Sequence, residues 1–433
     1  MQITTQYYTE YFMIEDCFVL TEKLLYSCPE VEAIYILIRE KKNLNIQQRL
    51  EKILASEVLK KRRKEDLNKI IPIIGEITAQ NLGIKHEDEK IILEKVSIVI
   101  HSAATVRFNE PLKTAFGINL DGTIKVLELC KRIKNIEILI HVSTAYSNTD
   151  SQFVEEKIYP PPVPIEEARN YINENGDNDE LMNNYLFGKP NTYTFTKALA
   201  EFALQEMHGD VPVVIIKPSI VTASKSEPLE GWVDNWNGAT GTGFSRVLYS
   251  EESNILDIVP VDYVSNFILA VGAKCHRTKE VKVFNYCSSF VNPVTMGWSA
   301  NQFYEIPIPA CYMTRHRWLA NIVILFLEII PSYFVDFCLY ILQKPTRFIK
   351  IQSQITQVRK TLTYFTENSW VMKIEKTMQV INSLSAKDSR TFPCNPTDIN
   401  WNDYMKVYTR GVGKYLMAKK RYDCLTKTRV IPP

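Results

Sequence analysis

The sequence predicts a doubly wound α/β fold, a parallel sheet covered by helices on both faces, followed by an α-helical C-terminal module. Three observations predict it. Short, continuously apolar runs recur at 31–38, 96–100, 136–142 and 211–216. Helical stretches separate the later runs, at 118–133 with Leu120, Ile124, Leu127 and Cys130 on one face, and at 194–207. Beyond residue 300 the alternation stops and helical spacing takes over. Strands without in–out alternation are buried on both faces, as in parallel sheets whose crossovers are helices.

Composition sets the outer limits. The chain has 433 residues, which allows about two to four domains. Apolar residues make up 45% and aromatics 11%, enough to bury a large core and to exclude general disorder. With 51 basic and 49 acidic residues, there is no electrostatic case for nucleic acid. The 6 histidines are scattered with no pair at metal-ligand spacing, so no metal is expected. The 9 cysteines include no C-x-x-C, which argues against a zinc site and a disulfide framework. The N-terminus lacks a basic stretch followed by an apolar core, and an intracellular protein is expected.

Taken in order, the chain opens without glycine; the first is Gly75. VEAIYILI (31–38) reads as a buried strand. Residues 45–70 read as helix, with Leu50, Ile53 and Leu54 at helical spacing and a basic run from Lys60 to Lys64 that suits a solvated helix end. From Asp150 to Asn191, prolines, acids and Asn175–Gly176 predict a long surface insertion. Trp318–Leu342 is nearly all apolar, interrupted by Glu328, Pro331 and Asp336. Two acids and a proline favour a helix pair lying on or dipping into a membrane over one clean span. Residues 360–420 read as a helical module carrying Trp370, Ile374, Met378 and Ile381, then Trp401, Tyr404, Met405 and Tyr408.

The chemistry concentrates in one stretch. Four places match Y-x-x-x-K: Tyr185/Lys189, Tyr193/Lys197, Tyr340/Lys344 and Tyr415/Lys419. The last two lie outside the α/β region, and Pro190 disfavours a helix at Lys189. Tyr193/Lys197 opens the amphipathic helix TFTKALAEFALQEM, where a four-residue spacing puts both side chains on one face. An ammonium beside a phenol favours the phenolate and fits the phenol for acid/base work near neutral pH. Ser143 and Thr144 follow the strand 136–142 and offer the third group, a hydroxyl for a developing oxyanion.

Six segments carry a resemblance in the order IYILIREKK (34–42), HSAATVRFNEPL (101–112), HVSTAYSN (141–148), YTFTKALAE (193–201), IIKPSIVTAS (215–224) and DIVPVDYV (257–264). They resemble the alcohol-forming fatty acyl-CoA reductases, Rossmann-like extended short-chain dehydrogenase/reductases with a C-terminal male-sterility module. FTENSW (365–370) through INWNDYMKVYTRGVGKYL (399–416) looks like that module. The resemblance implies NADPH-dependent reduction of a long-chain acyl-CoA through the aldehyde to a primary alcohol. It implies Tyr193 as proton donor, Lys197 as its tuner and ribose ligand, and Thr144, with Ser143 as the rival, at the oxyanion. Arg39, assisted by Lys41, would hold the adenosine 2′-phosphate. Glu76 and Ile77 would lie near the adenine, Ala103 and Ala104 beside the fourth strand, and Pro218 and Ser219 at the nicotinamide. It further implies a peroxisomal or endoplasmic-reticulum membrane surface, and a homo-oligomer is compatible with it. The implied domains are a reductase domain with its substrate-binding portion over 1–300, an apolar membrane-associating connector over 301–350 and the helical module over 351–433.

One part of the pattern is missing. The family opens with a strand and T-G-x-T-G-F-L-G. Counting back from LTEKLLYSCP (20–29), the three glycine positions fall on Tyr11, Ile14 and Cys17. The strand and loop read as replaced, with Glu15 and Asp16 adding negative charge where phosphates should sit. Lys217 stands for the usual arginine before Pro218, and residues 231–254, which should cover the substrate, look several residues short. The alternative reading is a catalytically impaired reductase-like protein that acts by binding acyl chains or partners.

Overall fold

The computed structural model describes residues 10–14, 18–40, 44–60, 62–175, 181, 185–242, 247–302 and 311–417. Two compact units form. The first comprises Met1–Ser219, Asp262–Cys287 and Met372–Asn395; the second comprises Ile220–Val261, Ser288–Val371 and Pro396–Pro433.

The first unit is built on a seven-stranded parallel sheet. Its strands are β1 (Glu10–Ile14), β2 (Ala33–Ile38), β3 (Ile70–Ile74), β4 (Ile98–His101), β5 (Ile138–Val142), β6 (Val213–Pro218) and β7 (Lys282–Tyr286). In space they run β7-β6-β5-β4-β1-β2-β3. The chain winds outward from β1 in one direction, then returns to β4 and winds in the other. The order therefore reverses between β1 and β4, and that crevice at the C-terminal strand ends is where such sheets take ligands.

A first strand is present after all. EYFMI pairs with β2 (Tyr11 opposite Ile34) and with β4 (Tyr11 opposite Ile98). Tyr11 and Ile14, two of the presumed glycine positions, are thus strand residues. Cys17, the third, lies outside the described residues, as do Glu15 and Asp16. Only those three residues join β1 to helix α1 (Phe18–Ser27).

Other expectations need local correction. The helix expected over 45–70 ends early, at Ile46–Leu54, and only a short turn, Lys64–Leu67, follows. Residues 70–74 instead form β3, whose Pro72 is tolerated because β3 is the sheet edge. The 150–191 stretch is not wholly at the surface: Ile165–Asn175 is helical, and Val163, Ala168 and Ile172 are buried with Phe195 and Leu199.

Two apolar clusters fix the unit. One joins Tyr35, Leu37, Val99, Leu139 and Ile215 of the sheet to Val126, Leu127 and Cys130 of α2 (Gly122–Arg132). The other gathers Leu112, Phe116, Leu120, Phe195, Leu199 and Ala203 around α3 (Thr192–Met207). The segment Met372–Asn395 is pinned by Glu156, which accepts from the backbone N–H of Thr377 (2.9 Å) and from its hydroxyl (2.8 Å).

The second unit holds two short parallel strand pairs, Ile220–Thr222 with Ile258–Pro260 and Val247–Tyr249 with Tyr312–Thr314. Its helices include α4 (Arg317–Ile341), α5 (Phe348–Glu367) and α6 (Trp401–Gly411). The apolar stretch is one helix and not a pair: Pro331 sits just after a π turn, where a missing N–H is tolerated. On α6, Gly411 meets Gly231, whose φ is +71°; a Cβ on Gly411 would lie 1.8 Å from the Gly231 carbonyl oxygen. Only two glycines permit that approach.

Candidate active site

The site lies at the C-terminal ends of β4, β5 and β6. After β5 the chain leaves the sheet through Ser143 and Thr144 into a short turn, Ala145–Asn148. Thr144 caps that turn: its Oγ1 accepts from the Tyr146 N–H (3.2 Å). The cap leaves the Thr144 hydroxyl proton available to a substrate oxygen. Thr144 is only 6% exposed, so such a bond would form in a largely dry environment.

Helix α3 carries the candidate acid/base pair. Asn191 starts it by accepting from the Thr194 N–H (2.9 Å). Tyr193 and Lys197 then follow one turn apart. Lys197 is buried, and its ammonium donates to the Val142 carbonyl at the end of β5 (2.9 Å). That bond fixes α3 against the strand that leads into Thr144. Phe108 packs on the Tyr193 ring, with centroids 5.6 Å apart.

Ser143 is placed differently. Its hydroxyl donates to Glu201, one turn beyond Lys197 on α3. Ser147 also donates to Glu201 (2.7 Å), and Lys217 on β6 pairs with the other carboxylate oxygen (2.9 Å). Both Glu201 and Lys217 are fully buried. Thr144 therefore keeps the hydroxyl that can face a substrate. The spacing KALAE, four residues from lysine to glutamate, was a legible signal for Glu201, since it puts both on one face.

Asn119 is a second residue that pattern reading did not single out. Its amide donates to Thr196 Oγ1 on α3 (2.9 Å), and its oxygen accepts from the Thr105 N–H (2.9 Å). The signal is a buried asparagine in an otherwise apolar helical stretch, which needs partners.

Under these groups lie His101 and His141, side by side on β4 and β5, with Nδ1 atoms 2.9 Å apart. Burial, helped by the nearby Lys197 charge, lowers His101 to about 3 and His141 well below its usual value. Both rings are neutral at physiological pH. One Nδ1 donates and the other accepts, so one Nε2 carries a proton and the other is bare. Neither Nε2 has a partner among the described residues.

The residues expected at a dinucleotide separate into three groups. At the nicotinamide end, Ala103 and Ala104 are half-buried after β4, Pro218 closes β6, and buried Ser219 has an unpartnered hydroxyl. At the adenosine end, Arg39 follows β2 and is exposed; its guanidinium lies 3.4 Å from Glu76, which follows β3. Ile77 packs against the core and would clash with any Cβ on Gly122, 2.5 Å away. Lys41 lies outside the described residues, as does the β1–α1 connection. A guanidinium such as that of Arg39 matches the geometry of a phosphate. No group of three or more histidine, cysteine or acidic side chains suited to a metal occurs among the described residues.

Sequence comparison agrees with this geometry. The sequence model of the male sterility protein family matches residues 18–268. A second male sterility protein model matches 327–419. Human fatty acyl-CoA reductase 1 is 32% identical over 427 residues, covering 93% of this chain and 82% of the relative. Mouse fatty acyl-CoA reductase 2 is 33% identical over 429 residues with the same coverage. Among solved structures, the terminal R domain of the myxalamid PKS-NRPS pathway shares the fold with a TM-score of 0.67 at 17% identity, covering 96% of this chain and 93% of that one. UDP-glucuronic acid 4-epimerase from Bacillus cereus, solved with NAD, aligns at 0.52 and 12% identity, covering 94% and 98%. The sheet order, the Tyr193–Lys197 helix and these matches lead to one conclusion: the chain belongs to the fatty acyl-CoA reductase family.

Proposed function

We propose that this protein reduces long-chain acyl-CoA to a primary alcohol with NADPH, using Thr144, Tyr193 and Lys197. The observation that carries the reading is the Lys197–Val142 bond, which brings the Tyr193 helix against the strand end bearing Thr144. NADPH supplies the hydride in each of two reductions. Thr144 donates to the thioester oxygen as negative charge develops there, and Tyr193 protonates it. Collapse of the tetrahedral centre releases CoA as the thiol, and the aldehyde takes the same position for the second reduction. Lys197 holds a positive charge beside the phenol throughout and binds the cofactor ribose. Arg39 suits the 2′-phosphate, Glu76 and Ile77 the adenine side, and Ala103, Ala104, Pro218 and Ser219 the nicotinamide side.

The partner proposed for α4 is an intracellular membrane surface, peroxisomal or endoplasmic-reticulum. The helix has 25 residues and mean hydropathy 2.1 in its most apolar window, and it is 17% buried there. Trp318, Phe326, Phe334 and Phe337 are each at least 60% exposed, which is unusual for water-facing aromatics. In functional terms, 1–300 carries the chemistry, 301–350 the lipid contact and 351–433 the tail module.

A second reading is a protein that holds acyl chains without turnover. It is favoured by the lack of any glycine before Gly75 and by a family match that starts at residue 18. One assay separates them. With NADPH and a sixteen-carbon acyl-CoA, the enzyme reading expects two NADPH consumed per alcohol formed. Acyl-CoA binding without NADPH oxidation would leave the second.

A further inference from the structure

Glu201 joins three elements. It sits on α3 one turn past Lys197, receives Ser143 and Ser147 from the turn after β5, and receives Lys217 from the end of β6. Ser143 and Ser147 bracket Thr144, and Ser147 also reaches the Thr144 carbonyl (3.0 Å). The turn continues into a further link, since Asn148 donates to Ser147 Oγ (3.2 Å) and accepts from Lys189 (3.2 Å). Every donor to the Glu201 side chain thus comes from a segment that ends beside the reacting groups.

We propose that Glu201, with Lys217 as its counter-ion, is a positioning residue for the oxyanion-binding hydroxyl of Thr144. The carboxylate holds the Ser143–Asn148 turn against the catalytic helix. Thr144 and Tyr193 then face the same oxygen through two successive reductions of different substrates, a thioester and an aldehyde. A stabilising role alone does not explain the arrangement. Two fully buried opposite charges lose their hydration, and an apolar pair of the same volume is often as stable. What an apolar pair cannot do is accept two hydroxyl protons from the turn. Displacement of a reacting group by about 1 Å costs roughly 100-fold in rate, so holding the turn matters to turnover more than to folding.

The proposal rests on the catalytic reading of Thr144 and Tyr193, and the experiment separates the two. The test uses the full chain as Glu201→Leu/Lys217→Met, which removes both charges together, and as Ser143→Ala/Ser147→Ala, which keeps the ion pair but cuts its links to the turn. Both are expected to lower kcat about 10- to 100-fold with KM for acyl-CoA and NADPH within about twofold. Amide hydrogen exchange over 143–148 is expected to accelerate at least about tenfold, while the strands of the sheet keep their protection. The exchange readout does not depend on turnover. If the serine pair variant shows unchanged exchange over the turn, the proposal is overturned, and wild-type kcat in either variant overturns it too. Should the charge variant fail to fold, the serine variant decides alone. Tyr193→Phe is the control: wild-type turnover there sinks the catalytic reading itself, whereas a dead Tyr193→Phe beside fully active Glu201 and serine variants sinks only the positioning role.

Discussion

Arg359 of α5 holds both carboxylate oxygens of Glu328 on α4, at 2.7 and 2.6 Å, with each side chain about 5% exposed. Gln352 adds a bond to Glu328 (2.8 Å), and the Arg359 Nε donates to the Val247 carbonyl (3.0 Å). Asp336, the other acid of α4, accepts from the backbone N–H groups of Arg347, Phe348 and Ile349 at the start of α5. Those bonds lower its pKa despite the opposing effect of burial. Both acids therefore point away from solvent, and the exposed face of α4 carries no carboxylate. Breaking the pair by Arg359→Met is expected to cost about 3–5 kcal/mol, because Glu328 would be left buried and unpaired. Glu328→Leu/Arg359→Met should recover most of that loss in urea unfolding; equal loss in the double variant would refute the pairing argument.

The charge-free face leads to a lipid-binding prediction. Between Asp336 and Glu367 the sequence has no acid, and Lys344, Arg347 and Lys350 stand at the end of the apolar helix. Vesicles containing anionic phospholipid should retain the protein. Phe334→Asp/Phe337→Asp should lower binding at least tenfold, and each Lys344, Arg347 or Lys350→Gln should lower it about fivefold at moderate salt. Full release of the unmodified protein from such vesicles would remove the membrane reading.

For the catalytic set, Tyr193→Phe is expected to lower kcat by about 10²–10⁴ and Thr144→Val by about 10²–10³. Stopped assays of aldehyde and alcohol check both steps. Retention of full aldehyde formation in Tyr193→Phe would assign the first proton to another group.

Cofactor affinity should respond separately from turnover. Glu15→Gly/Asp16→Gly removes two carboxylates between β1 and α1 in the sequence, and NADPH affinity by calorimetry is expected to rise at least about tenfold. Glu76→Gln, which frees Arg39 from its ion pair, should favour NADPH over NADH by a few-fold more than the parent chain does. No change in either variant would place phosphate recognition elsewhere.

The histidine pair predicts an acid limit. His101 titrates near 3 in the fold against 6.5 unpaired, so below about pH 6.5 the unfolded chain binds protons that the folded chain does not. Stability from this residue is complete above pH 6.5 and falls by about 1.4 kcal/mol per pH unit toward pH 3. His141 shifts in the same direction. Urea midpoints from pH 7 to 5 should therefore drop, and the drop should shrink in His101→Gln. A slope that His101→Gln leaves intact would locate the acid sensitivity in other groups.

Much of this was legible in the chain. VEAIYILI, the run at 136–142 and the Tyr193–Lys197 helix could be read because each is long, buried and strongly patterned. β1 could not, because EYFMI is short and stood where a glycine loop was expected. β3 carries Pro72 and β7 carries Lys282 and Asn285, residues that disguise a strand unless its edge position is known. The engagement of the rival hydroxyl, Ser143, could not be read, since its partner Glu201 stands 58 residues beyond it. The two acids of α4 argued against one clean apolar helix until Arg359 and the start of α5 accounted for them.

The position of β1 has a wider consequence. All the groups proposed for chemistry lie on the β4–β5–β6 side, tied together by Lys197, Glu201 and Lys217. β1 lies on the other side of β4, between it and β2. A change in that half reaches the reacting groups through β4 and the shared apolar cluster of Tyr35, Leu37, Val99 and Leu139.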